Sequence, residues 1–158
     1  MVNIILLIII GIFCFLIYQN SKKVKQQAVA NAKIEADFLI ANSQIEGVHE
    51  TASGLQYKIE HQSGSDIKPS PTSMVNVHYH GTLIDSTVFD SSVERNSPIS
   101  FGLNQVIKGW TEGLQLMSEG DKYTFYVPHQ LAYGEKRVGS IPAASLLIFE
   151  VELLKVES

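Results

Sequence analysis

From Val106 to Leu114 the chain reads VIKGWTEGL, and it continues through Gly120 as QLMSEG. Trp110, Leu114 and Met117 recur at intervals of four and three, which places them along one face of a short helix. The spacing predicts that Gly120 ends this helix, since glycine readily takes the left-handed backbone of a helix C-terminus. On both sides the apolar residues alternate instead. Leu55, Tyr57 and Ile59 do so, as do Val75, Val77 and Tyr79, and then Ile99, Phe101 and Leu103. Tyr123, Phe125 and Val127 follow, and last Leu147, Phe149, Val151 and Leu153. Period two over such runs is the signature of half-buried strands. Residues 64–73 carry Gly, Ser and two prolines and form a loop. The expected fold is α+β, an antiparallel sheet wrapped on one short helix that covers its apolar face.

Upstream the texture changes. Val2 to Tyr18 reads VNIILLIIIGIFCFLIY, with Asn3 as its only strongly polar residue. At 1.5 Å per residue such a helix reaches about 26 Å, near the lower limit for crossing a bilayer. No basic residue precedes the run and no small-residue cleavage site follows closely, so it reads as a retained transmembrane anchor rather than a removed signal. Ala30-Asn31-Ala32 lies too far downstream to be such a site, and bulky Phe13 before Cys14 is unlike a lipoprotein processing site. Lys22, Lys23 and Lys25 follow the run, and the positive-inside rule would leave the large domain in the cytoplasm.

Residues 21–45 lack Gly and Pro, are rich in Lys, Gln, Ala and Glu, and space Ala28, Ala32, Ala36 and Ile40 four apart. A helix is expected there, with Gly47 as its stop. Its apolar face either packs on the domain as a spacer or pairs with a second copy as a homodimer. The organisation is therefore a transmembrane anchor over 1–20, a helical extension over 21–47 and a folded domain over 48–158.

The 158 residues suit one ordinary domain plus an extension, and a net charge of -4 without a basic block argues against nucleic acid as a partner. The single cysteine, Cys14, lies in the apolar run, so the rest of the chain forms neither an internal disulfide nor a cysteine-based zinc site. His78 and His80 alternate with Val77 and Tyr79 and project from the strand's other face, with no evident third metal ligand. No cofactor or metal is expected.

Five blocks in order carry a resemblance. They are Val77-His78-Tyr79-His80-Gly81-Thr82-Leu83, then Phe89-Asp90-Ser91-Ser92 with Arg95 and Pro98, then the Val106–Leu114 stretch. Leu131-Ala132-Tyr133-Gly134 and Phe149-Glu150-Val151-Glu152-Leu153-Leu154 complete the set. Over roughly 100 positions from Gly54 to Val156 this resembles the FKBP-type peptidyl-prolyl cis-trans isomerases. Glu46-Gly47-Val48 and Ser53-Gly54-Leu55-Gln56-Tyr57 further resemble the Mip-like bacterial subgroup, whose members carry a helical extension and often dimerise through it.

The resemblance implies an enzyme that accelerates X-Pro bond rotation in folding proteins. Its partners would be proline-containing, unfolded or partly folded chains, with a macrolide as a possible inhibitor. A proline-segment-binding chaperone without turnover, or a membrane-tethered interaction module of the same fold, is the alternative. The resemblance further implies that Tyr79, Phe89, Asp90, Tyr133 and Phe149 act on the bond. Val106, Ile107, Trp110, Ile141, Arg95 and Ile99 would bind substrate, Trp110 as the floor beneath the proline ring. The Ile107 N–H and the Tyr133 hydroxyl would take substrate carbonyls, and Asp90 would accept from Tyr79 or pair with Arg95 as electrostatic support. Taken by pattern alone, Tyr79, Phe101, Phe125 and Phe149 read as core aromatics on alternating strands; the resemblance moves only Tyr79 and Phe149 to the site.

Members with export or anchor segments act in the periplasm or outside the cell, which opposes the lysine placement. Three departures stand out: Ala143 replaces the second proline of a common Ile-Pro-Pro, loosening a turn; Ile99 sits where an aromatic is frequent; and Ser86 replaces a glycine after Asp85.

Overall fold

The structure, a computed structural model, describes the backbone of residues 2–157 and the side chains of residue 6 and residues 8–157. Helix α1 spans Val2–Asn42, followed by strands β1 (Val48–Glu50), β2 (Gln56–His61), β3 (Met74–Thr82), β4 (Val88–Ser91) and β5 (Ile99–Gly102). Helix α2 (Lys108–Leu114) separates these from β6 (Lys122–Val127) and β7 (Leu147–Glu157), with one-turn 3-10 segments at Leu103–Gln105 and His129–Leu131. One antiparallel sheet runs β1-β2-β6-β7-β3-β4, and β5 pairs with the first half of β3 while β4 pairs with its end.

Five of the seven strands fall where the period-two residues stand, and β1 and β4 lie on no such run. On β3 the burial alternates strictly, with Val75, Val77, Tyr79 and Gly81 inward, and β7 repeats this with Leu147, Phe149, Val151 and Leu153. These side chains and Phe125 form the core against α2. Helix α2 ends at Leu114, six residues before the Gly120 stop that the spacing implied. Met117 is nonetheless fully buried in the turn that follows, and Gly120 there has φ +90. A residue leaving a helix still reaches the core when the next turn wraps under the sheet.

Two expectations for the N-terminal part are corrected. The apolar run and the extension are one uninterrupted helix that ends at Asn42, five residues before Gly47. The face that packs on the domain is not Ala28-Ala32-Ala36-Ile40. A spacing of four on a helix of 3.6 residues per turn drifts by about 40° per step. The row starts on the domain at Ala28 and ends in solvent at Ile40. The stripe against the domain is Ala28, Glu35 and Asn42, all buried, and half-buried Asn31, with Val24 and Phe38 beside it, and three of those four are polar.

Among the described residues, no helix is long and apolar enough to cross a membrane. Residues 1–5 and 7, on which the expected anchor partly falls, are outside the described side chains.

Candidate active site

Helix α2 lies close under the sheet because two of its residues have no side chain. A Cβ on Gly109 would come within 2.4 Å of Val127 Cγ1, and one on Gly113 within 2.7 Å of Phe125 Cε1. That close approach lifts Trp110, on the same helix, into the mouth between β3, β5 and β7. Its indole is met edge-on by Tyr79 at 5.2 Å and Phe149 at 5.0 Å between ring centres, and at a tilt by Phe101 at 5.3 Å. Phe89 stands edge-on to Phe149 at 5.4 Å. Edge-to-face pairs at these separations are the preferred aromatic geometry, so the rings hold one another in place. Gly81 makes room for this, since a Cβ there would sit 2.7 Å from Phe89 Cζ.

The rings bound an open cleft of about 400 Å³. Tyr79, Phe89, Phe101, Trp110 and Phe149 form its floor and walls, Ile99, Val106 and Ile107 one side, and Tyr133 with the 138–141 segment the rim. The Trp110 Nε1–H is buried with no acceptor among the described residues. The Ile107 N–H, which enters α2 from the N-cap position, also has no acceptor among them.

Asp90 is the charged group of the lining, and it is fully engaged. The Tyr79 hydroxyl and the Arg95 guanidinium both donate to its carboxylate, and Arg95 also donates to the Tyr79 oxygen at 3.2 Å. Partial burial works against ionisation of Asp90, but the bonds from Tyr79 and Arg95 outweigh it and hold its carboxyl below the usual range. Tyr79 is pushed up, first by burial and then by its bond to Asp90. At neutral pH the pair is therefore a phenol and a carboxylate, with no proton poised to transfer.

Of the residues expected at the site, Tyr79, Phe89, Asp90, Ile99, Val106, Ile107, Trp110, Tyr133, Ile141 and Phe149 all line the cleft. Arg95 does not: it lies outside the lining with its guanidinium spent on Asp90 and Tyr79. Phe101, which the sequence left either bordering the pocket or lying behind it, lines the cleft, as do Val138, Gly139 and Ser140. The alternation that put Phe101 in register with Ile99 carried the signal. His78 and His80 face away, at 2.8 Å from Ser92 Oγ and 3.0 Å from Ser91 Oγ. Among the described residues, no three His, Cys, Asp or Glu side chains gather as a metal site would require.

Residues 65–154 match the FKBP-type peptidyl-prolyl cis-trans isomerase family, and residues 15–59 match the domain amino-terminal to such isomerases. FKBP-type peptidyl-prolyl cis-trans isomerase FkpA of Aeromonas hydrophila is 54% identical over 135 residues, covering 85% of this chain and 50% of that protein. Peptidyl-prolyl cis-trans isomerase Mip of Coxiella burnetii is 46% identical over 128 residues, covering 80% of this chain and 55% of its own length. The chain thus spans about half the length of these relatives. Among solved structures, the crystal structure of FkpA from Escherichia coli superposes with a TM-score of 0.90 at 35% identity, over 94% of this chain and 70% of that one. Ordered blocks, sheet topology and both family matches lead to one conclusion: this chain belongs to the FKBP-type peptidyl-prolyl cis-trans isomerases, in the FkpA and Mip branch that carries an amino-terminal domain.

Proposed function

We propose that the cleft accelerates rotation about X-Pro bonds in other polypeptides, unfolded or partly folded. The observation that carries this is a cleft lined by six aromatic rings whose one carboxylate is already bonded to Tyr79 and Arg95. Rotation must cross a barrier of about 18–20 kcal/mol because amide resonance is lost, yet no bond is made or broken. A nucleophile or base has nothing to do in such a reaction. The planar amide is strongly polar and the twisted one less so, so an apolar, water-poor cavity raises the ground state relative to the transition state.

In this reading Trp110 is the floor under the proline ring, and Tyr79, Phe89 and Phe149 are the walls beside the twisting bond. The Ile107 N–H and the Tyr133 hydroxyl bind the flanking carbonyls, which orients the chain while the bond turns. Val106, Ile99 and Ile141 complete the apolar lining. Asp90 fixes the Tyr79 hydroxyl, and Arg95 acts only through Asp90. A macrolide that fills the same cleft competes with substrate.

For the rest of the chain the proposal keeps an anchor over 1–20, a helical extension over 21–47 and the isomerase domain over 48–158. The anchor is supported by the composition of residues 2–18 and by the exposure of Leu6 and of Ile8 through Tyr18. An alkaline phosphatase fused after Ser158 reports which side the domain faces: active outside the cytoplasm, inactive within. Pairing of two copies through α1 is supported by Val29 and Ile40, 75% and 68% exposed on the face opposite the domain.

The test of function follows cis-to-trans relaxation of a tetrapeptide with a central X-Pro bond. Acceleration that falls in Phe89→Ala and Tyr133→Phe and is blocked by a macrolide supports the proposal. Peptide binding without acceleration points to a proline-binding chaperone instead.

A further inference from the structure

The rim of the cleft is a loop whose ends meet. The Ala144 N–H donates to Gly134 O at 2.9 Å and the Gly134 N–H to His129 O at 2.8 Å, which closes a neck below residues 135–143. Inside the loop Val138 and Ile141 exchange a pair of backbone bonds at 3.0 and 2.9 Å. Everything above the neck is exposed except Ile141, Pro142 and Ala143, so the loop has little core of its own to hold it.

Helix α1 grips this neck from both sides. On one side Glu35, 4% exposed, accepts the backbone N–H of His129 at 2.8 Å and lies 2.8 Å from His129 Nδ1. An ionised carboxylate only accepts, so the ring nitrogen is the donor and the two bonds bracket the residue. On the other side Asn31 Nδ2 donates to Ala143 O at 2.8 Å, and Ala28 packs against Ala143 and Ala144. Asn31 and Glu35 are one helical turn apart, matching the two strands of the neck. Ala143 is fully buried against Ala28, where a small residue lets helix and loop approach.

From this geometry we infer that α1 is part of the active site's support, with Glu35 and Asn31 as positioning residues that hold the rim carrying Tyr133 and Ile141 over the cleft. The inference rests on the isomerase reading for its catalytic consequence, but the clamp itself is a statement about the loop. A rim left loose must be ordered by the substrate when it binds, which weakens binding without altering the aromatic walls that act on the twisted bond.

The test uses the full chain in detergent micelles, as wild type, Glu35→Gln and Asn31→Ala. A glutamine amide accepts the His129 N–H with its oxygen but meets ring Nδ1 with an N–H donor, so Glu35→Gln keeps the second bond only if the ring switches tautomer, whereas Asn31→Ala removes its bond to Ala143 outright. Amide hydrogen exchange at Val138, Ile141 and Ala144 is expected to quicken about tenfold, while amides of β3 and β7 keep wild-type rates. KM for the tetrapeptide is expected to rise about fivefold with kcat nearly unchanged. Wild-type exchange in the loop overturns the clamp. So does faster exchange spread evenly over loop and sheet, which would mean general destabilisation. Selective loosening with unchanged KM overturns the positioning role. Should Glu35→Gln not fold, Asn31→Ala alone decides. Should the wild type show no turnover, the isomerase reading fails, and the exchange contrast between loop and sheet still judges the clamp.

Discussion

Phe89 is half-buried, touches Phe149 edge-on and occupies the space that Gly81 leaves free. Phe89→Ala removes a wall of the cleft without opening the core beneath it, and kcat/KM is expected to fall about tenfold or more with little change in melting temperature. Gly81→Ala acts from the other side, driving the Phe89 ring into the cleft. It should cost about 1–3 kcal/mol in urea unfolding as well as activity. Asp121 is buried and accepts from Ser118 N and Ser63 N, each at 2.8 Å. Burial alone would raise its carboxyl, but these bonds hold it below the usual range. A carboxyl lowered in the folded state stabilises above its unfolded pKa of about 3.9, and that contribution is lost as pH falls through the folded value. Unfolding measured from pH 6 down to pH 2 should therefore show wild type losing more stability than Asp121→Asn, which starts less stable at pH 6. At this scale the sequence was legible where identity decides position. Ten of the eleven expected site residues line the cleft. The pairing of Arg95 with Asp90 was legible too, but whether Arg95 and Phe101 reach the cleft was not, because a side chain's reach around a strand edge is not written in its spacing.

The elements themselves were legible from period, and what escaped was where each helix turns its face. Five of the seven strands fall on the alternating runs, β1 and β4 being too short to show the period, and α2 falls on Trp110 and Leu114. For α1 the apolar residues misled, because its docking stripe is held largely by polar bonds to the domain. Asn42 Nδ2 donates to Gln56 Oε1 at 2.9 Å, and Gln56 Nε2 donates back to Leu39 O at 3.0 Å. A hydropathy pattern cannot register a polar interface whose partners lie in another element. The turn between β3 and β4 shows the opposite case. Ser86 has φ +68, the left-handed region where glycine carries no Cβ penalty, and the sequence had already marked it as replacing a glycine. Ser86→Gly should stabilise the protein by roughly 0.5 kcal/mol, the relief of strain offsetting the added chain entropy, read as a rise in the urea midpoint.

At the scale of the whole molecule, α1 joins two environments. Its described side chains from Ile8 to Tyr18 are exposed, while Val24 through Asn42 is bound to the domain at the rim of the cleft and at β2. Removing residues 1–20 should leave the melting temperature within about 2 °C of the full chain. Removing residues 1–43 takes away the bonds of Asn31, Glu35 and Asn42 and should cost about 2 kcal/mol or more. The most direct measurement is the relaxation rate of a cis X-Pro tetrapeptide with residues 21–158 added at increasing concentration. The account predicts a rate that rises in proportion to protein and returns to the uncatalysed value of tens to hundreds of seconds when the cleft is blocked. A rate that stays at the uncatalysed value at every concentration of folded protein would contradict it.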